Sequence, residues 1–204
     1  MRANFIGPTI PLDTRRKGNL GEFIALRVAR EGNLGAAETF AANAVNPLNP
    51  ISISGLDLSY FLFNDEDPAK DLLFIQETKT TSGVDLSYGD NLIKDYAKLF
   101  GIDVTTTLQT RLQVICNQIE LERNKEHLCE RVLLLGGELA EQCSRTVLLP
   151  TIVHEKHGTN PVSKLLAIRE AIASQGWPIR NIAPWSIAFC DLEQRLTRIA
   201  RGQA

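Results

Sequence analysis

Two acids and a lysine in this sequence sit in contexts where charge is costly to bury. Asp57 lies between Leu56 and Leu58, and the tripeptide Glu77-Thr78-Lys79 follows the apolar run Leu72-Leu73-Phe74-Ile75. On a strand, Glu77 and Lys79 are one residue apart and point to the same face, shared with Leu73 and Ile75. The strand therefore runs from a buried apolar half to a polar end. A carboxylate and an ammonium buried there must be paired or bound to a metal. In a hairpin the Asp57 carboxylate approaches that of Glu77. Two like charges so close raise each other's pKa unless a cation sits between them. Oxygen-only ligation of this kind favours Mg²⁺, with Mn²⁺ as a substitute. The plainer alternative is a salt-bridged cluster at the end of a hairpin, which would contribute little stability.

The elements that must position these groups are legible from periodicity. A helix is expected from about Gly18 to Arg30, with Phe23, Ile24, Leu26 and Val28 as its apolar positions. Residues 32–49 mix Gly, Ala, Asn and Pro and leave a short strand or irregular chain open. Ile51 to Phe63 alternates apolar with small or polar residues, the two-residue period of a strand. Asn64-Asp65-Glu66-Asp67-Pro68 reads as a turn, and Asp71 to Thr81 as a second strand pairing back as a hairpin. Helices are expected from Leu92 to Phe100 and from about Thr107 to Cys143, interrupted by Gly136-Gly137. Strand character returns from Thr146 to His154. Asn160-Pro161 opens a helix that Gly176 closes. Trp185 to Cys190 is a last strand, and Asp191 with Gln194 resembles a capping box for the final helix. This order predicts an α/β fold, a mixed central sheet flanked by helices with a helical insertion. One domain is expected over 1–204: a core at about 18–160, a helical elaboration at about 104–143, and a C-terminal helix-strand-helix at 161–204.

Asp57 and Glu77-Thr78-Lys79 resemble the signature of the PD-(D/E)xK nuclease superfamily, Asp57 standing as the first acid and the tripeptide as the ExK element. Gly21-Glu22-Phe23 is similar to the acid-bearing helix that often precedes the hairpin in that family. The resemblance implies a restriction-endonuclease-like core, with Asp57, Glu77 and the Thr78 backbone carbonyl ligating Mg²⁺. It further implies that Lys79 orients and helps deprotonate the attacking water, and that Glu22 supports a second metal or the water shell. The implied reaction is in-line attack on a phosphodiester. The sequence departs from the family pattern in two places. Gly55-Leu56 stands where the nominal motif has Pro, and Leu92 stands four residues before Tyr96 where the RecB-like branch has Gln.

Other clusters have weaker claims to chemistry. His154-Glu155-Lys156-His157 is one residue short of the HExxH zinc motif and follows a strand, so it is not read as a metalloprotease site; His154 and Lys156 read as a solvated strand end. His127 and Cys129 lack the close ligand pairs of structural zinc sites. Lys94 and Lys98, four apart on the helix after the ExK strand, are candidates for nucleic-acid contact, as is the basic run Arg15-Arg16-Lys17 before the Glu22 helix. Arg195, Arg198 and Arg201 form a stripe on the last helix that reads as a solvated face favoured near a helix C-terminus.

At 204 residues, 44% of them hydrophobic and 23% charged, the chain is long enough for one well-buried core and too balanced for global disorder. No apolar run reaches bilayer-spanning length and the N-terminus lacks a secretory signal, so a cytoplasmic protein without membrane contact is expected. Cys116, Cys129, Cys143 and Cys190 lie among aliphatic residues without CxxC spacing, which predicts buried reduced thiols. A net charge of −2 is unlike that of a free-standing DNA binder and points to a partner subunit that supplies grip. A small nuclease of this kind is similar to the nuclease subunit of Hachiman-type anti-phage defence systems, which implies DNA as substrate and a helicase/ATPase as partner; a homo-oligomer is compatible with the composition. The expected function is a Mg²⁺-dependent endonuclease, a hydrolase acting as effector of a defence complex. The reading of another class is an inactive nuclease-fold binding or assembly module.

Overall fold

The computed structural model describes residues 12–32, 34–41, 57–83, 86–98, 108, 112–113, 115–117, 119, 127–135, 144–156 and 160–203. Helix α1 spans Thr14–Glu31 and starts earlier than the apolar period suggests. Asp13 caps it, its carboxylate accepting the Arg16 N–H at 2.8 Å. The run Arg15-Arg16-Lys17 is therefore the first turn of this helix and not a loop before it. The buried face carries Leu20, Gly21, Ile24, Ala25, Leu26 and Ala29, and Gly32 closes the helix.

Strand β1 (Glu38–Ala41) and β2 (Leu58–Leu62) follow; residues 51–56 of the expected strand lie outside the described residues. The turn region is built around Asn64 and a 3-10 turn at Pro68–Lys70. The strand expected from Asp71 to Thr81 is instead two, β3 (Leu72–Gln76) and β4 (Thr78–Thr81), with Glu77 at the break. Helix α2 (Asn91–Ala97) comes next, and α3 (His127–Leu134) belongs to the helical region. The expected strand from Thr146 to His154 likewise divides into β5 (Thr146–Leu148) and β6 (Thr151–Glu155) around Pro150, which has no N–H to give a ladder.

Helix α4 (Val162–Ala173) is capped by Asn160, whose side chain accepts the Val162 N–H at 3.0 Å, and β7 (Trp185–Phe189) precedes α5 (Leu192–Ala200). The expected capping box at α5 is not formed. Asp191 is in the left-handed region with φ 57° and makes no side-chain cap, while the Glu155 carboxylate accepts the Asp191 and Leu192 N–H groups at 2.7 and 2.6 Å. An acid from the neighbouring strand thus meets the positive end of the helix dipole.

The fold is mixed α/β. One sheet has the order β1-β2-β3-β5 and the other β4-β6-β7, with β1-β2 and β2-β3 antiparallel and the remaining pairs parallel. The same chain segments run through both. Hydrogen bonds continue across the breaks, from Leu149 N–H to Ile75 O at 2.8 Å and from Thr151 N–H to Glu77 O at 2.9 Å. On one face Phe61, Leu73 and Ile75 pack with Leu92, Tyr96, Leu112, Ile119, Val132 and Ile168. On the other, α1 covers Leu58, Tyr60 and Leu149 and, with α5, Val153. The C-terminal segment is integral to this arrangement, since β7 pairs with β6 and α5 shares a core cluster with α1. No helix among the described residues is long and apolar enough to cross a membrane. Cys116 and Cys129 are buried free thiols as expected, whereas Cys190 is exposed; Cys143 lies outside the described residues.

Candidate metal centre

The β2-β3 ladder ends at Leu58 paired with Gln76. The next step back along β2 is Asp57 and the next step along β3 is Glu77, so both acids stand where the hairpin forks. Asp57 holds the fork by accepting the Thr78 N–H through Oδ2 at 3.2 Å. The carboxyls of Asp57 and Glu77 lie within hydrogen-bonding reach of each other. Glu77 is only 5% exposed.

Tyr96 on α2 makes the break in the strand. Its hydroxyl accepts the Glu77 N–H and donates to the Ile75 carbonyl, both at 3.1 Å, inserting between two peptide groups of one segment. The ring is fully buried among the apolar residues of that face. Backbone directions then follow from alternation along β4. The Glu77 carbonyl serves β6 through Thr151, whereas the Thr78 N–H serves Asp57. The N–H and C=O of one strand residue point to the same side, so the Thr78 carbonyl also faces the fork.

Lys79 lies on the α2 side of β4. Its ammonium meets Asp95 Oδ2 at 2.6 Å, both side chains less than one-fifth exposed, and the other Asp95 oxygen meets Lys98 at 2.6 Å. Burial pushes the Glu77 carboxyl well above the usual range, and the charge and hydrogen bond of Asp57 push it further. Burial also raises Asp57, against the opposing pull of Lys79. Burial disfavours the Lys79 cation, but the Asp95 hydrogen bond and the charges of Asp57, Asp95 and Glu77 outweigh it and hold the amine charged. Partial burial acts to raise Asp95, yet Lys79 and Lys98 together leave it below the ordinary range. The core of the cluster is three acids around one lysine, with Lys98 exposed at its edge.

The structure brings Asp57, Glu77, Thr78 and Lys79 together as the sequence suggested. Glu22 sits half-buried on α1, directly after Gly21, which lies so close to β4 that an added Cβ would fall 1.7 Å from Thr80 Oγ1. That contact seats α1 on the Thr80 face of β4, the pleat opposite to Lys79. Lys94 on α2 and Lys98 just after it are exposed. In the α1 basic run Arg15 is exposed, Arg16 is tied to Asp13 and Lys17 to Glu193.

His154 differs from expectation. It is 3% exposed, with Nε2 at 2.8 Å from the Ser186 hydroxyl and Nδ1 at 2.8 Å from the Glu155 carbonyl, so it is an internal side chain and not a solvated strand end. Arg195 and Arg198 of the α5 stripe are exposed, as expected of a solvated face, and bond the local Cys190 and Gln203 carbonyls.

Asp95 and Tyr96 were not singled out as site residues by the sequence. Their one signal was position, on the helix following the ExK-like strand.

No family model, curated protein or solved structure matches this chain. What the site does must be argued from its own geometry. Asp57 and Glu77 supply hard oxygen donors, and their mutual repulsion is relieved either by a proton or by a cation. Lys79 opposes the charge of the pair but is itself ion-paired to Asp95, so three acids share one lysine, and a divalent cation fits the negative charge that remains.

Proposed function

We propose that this chain is a Mg²⁺-dependent nuclease with a restriction-endonuclease-like core, hydrolysing phosphodiester bonds of DNA. The observation that carries the reading is the forked hairpin. It brings the buried Glu77 carboxyl, the half-buried Asp57 carboxyl and the Thr78 backbone carbonyl to one side of a strand break, with the charged Lys79 next along the strand after Thr78. Asp57, Glu77 and the Thr78 carbonyl would hold the metal, with Mn²⁺ as an alternative. When bound, the ion would supply a water of lowered pKa and neutralise charge on the phosphate.

The protein's own residues do the rest. Tyr96 fixes the peptide groups around Glu77, so its carboxyl stays at the fork. Lys79, held as a cation, orients the nucleophile and stabilises negative charge growing on the phosphate oxygens. This sharpens the expected role of Lys79, since a charged ammonium is poorly suited to removing a proton from water. Lys94 on α2 and Arg15 on α1 present exposed cations for the phosphate backbone, and Lys98, just after α2, stands exposed beside them while paired with Asp95. A net charge of −2 leaves room for a helicase/ATPase partner that supplies further grip in a defence complex.

The test is incubation of purified protein with linear, circular and single-stranded DNA plus Mg²⁺, alone and with a candidate ATPase partner. Cleavage lowered by at least about 100-fold, to a residual rate, by Glu77→Ala and by Lys79→Ala is the expected result. Cleavage near the wild-type rate in either variant refutes the assignment. Metal binding without cleavage under all these conditions would favour the binding-module reading.

A further inference from the structure

The pairing of Lys79 with Asp95 has a functional consequence that the acid-acid-lysine set alone does not contain. A lysine side chain has a flexible four-carbon stem and three donors, and nothing in its own chemistry fixes where the ammonium points. Here the ammonium is fixed. Asp95 Oδ2 lies 2.6 Å from Nζ, in a contact where the side chains are 18% and 19% exposed, which shields it from solvent far better than a surface ion pair. Asp95 is itself oriented by Lys98, which takes its second oxygen at 2.6 Å.

The helix that carries Asp95 is anchored at the next residue. Tyr96 is fully buried and bonded to the backbone on both sides of the Glu77 break. One helical turn therefore grips two parts of the site, the backbone that presents Glu77 and the side chain of Lys79.

We propose that Asp95 is a positioning residue that aims the Lys79 ammonium at the reacting phosphate, so that α2 supplies a fourth member of the catalytic set. This rests on the nuclease reading. Asp95 acts through Lys79 and takes no part in holding the metal. Without it, the lysine stem has open to it the acids at the fork, Asp57 and Glu77, and would compete there with the metal.

The test is single-turnover cleavage of a DNA duplex at saturating Mg²⁺ by wild type, Asp95→Asn, Asp95→Glu, Lys79→Ala and the Asp95→Asn/Lys79→Ala double variant. Asp95→Asn should slow cleavage by up to about 100-fold, the scale on which misplacing a reacting group by about 1 Å costs rate, with KM for DNA unchanged. Asp95→Glu should recover part of the rate, and the double variant should be no slower than Lys79→Ala. A double variant slower than Lys79→Ala by the full Asp95→Asn factor overturns the proposal.

A second measurement stands apart from cleavage. The ¹⁵N signal of the Lys79 ammonium, assigned by its absence in Lys79→Ala, should move or broaden away in Asp95→Asn. If wild type cleaves nothing, the nuclease reading is what fails; an unaltered Lys79 signal in Asp95→Asn overturns the Asp95 assignment by itself.

Discussion

Asp71 and Glu77 stand at opposite ends of β3, and both are buried, 1% and 5% exposed. Their surroundings differ in a way that separates structure from function. Arg131 of α3 reaches Asp71 with two nitrogens, Nε at 2.8 Å, and the Asn64 N–H donates to the same carboxylate at 2.8 Å. The guanidinium also lies 4.8 Å from the Phe63 ring centroid. That acid is neutralised and hydrogen-bonded within the fold, as a buried charge must be. At the other end, Glu77 faces a second carboxyl, and the nearest cation is engaged by a third. The fold satisfies one buried acid fully at one end of a strand and leaves two carboxyls facing each other at the other, which is what motivates the proposal of a cation there.

The comparison can be broken at its structural end first. Arg131→Ala leaves the Asp71 carboxylate buried and unpaired, and should cost about 3–5 kcal/mol of unfolding free energy in urea denaturation. Mg²⁺ affinity of the folded fraction should stay unchanged; loss of Mg²⁺ binding would show that the two ends are not separable.

At the other end, Asp57→Ala and Glu77→Ala should reduce the cleavage rate by at least on the order of 10²–10³-fold, the scale on which transition-state charge stabilisation is lost. The Glu77→Ala urea midpoint should fall little or rise, because the substitution removes a buried carboxyl that repels its neighbour, whereas Asp57→Ala also loses the Thr78 N–H bond and should cost about 1 kcal/mol. A large destabilisation in both variants would make the pair a structural element like Asp71.

Tyr96→Phe removes only the hydroxyl that bridges the Glu77 N–H and the Ile75 carbonyl. About 1–3 kcal/mol of stability should go, as expected for the buried Glu77 N–H left unsatisfied while the Ile75 carbonyl keeps the Leu149 N–H, together with a weakened Mg²⁺ affinity. Stability loss with full Mg²⁺ affinity would mean that the break is not what presents Glu77.

The smallest effect is in the pH dependence without metal. Glu77 is raised in the folded protein by burial and by Asp57, so the stability linked to its proton is fully present below about pH 4.3 and is lost as pH rises through the raised value. Asp57, also raised by burial, acts in the same sense. Asp95, lowered, acts oppositely and loses its contribution only as pH falls. In Mg²⁺-free buffer, Glu77→Gln should therefore gain on wild type in thermal melts as pH rises toward 8. A difference that is constant with pH would contradict the shift.

Much of this site was legible because its signals are local. Alternation from Leu58 to Leu62 and the apolar run at Leu72 to Ile75 locate the hairpin, and acids embedded in such runs mark a place where charge is buried for a reason. What escaped was decided by residues far along the chain. The break at Glu77 is made by the hydroxyl of Tyr96, the cap of α5 is delivered by Glu155, and Lys79 is oriented by Asp95, which in the sequence is one more charge on a short helix. Periodicity reports which face of an element is buried, but not which side chain will meet it there. The start of α1 escaped for another reason. The Asp13 cap is present in the sequence, but Arg15-Arg16-Lys17 interrupts the apolar period that marks the rest of the helix. His154 shows the reverse error, since a histidine at the end of an apolar strand is satisfied by Ser186 on the adjacent strand.

The central claim is that Asp57 and Glu77 form a cation site, and calorimetric titration of Mg²⁺ or Mn²⁺ into the metal-free protein near neutral pH tests it most directly. Repeated over a range of pH, the titration should show binding to wild type that weakens as pH falls and protons compete for the raised Glu77 carboxyl. Binding should be lost in Glu77→Gln. Absence of binding in wild type, or binding that survives Glu77→Gln unchanged, would contradict the account.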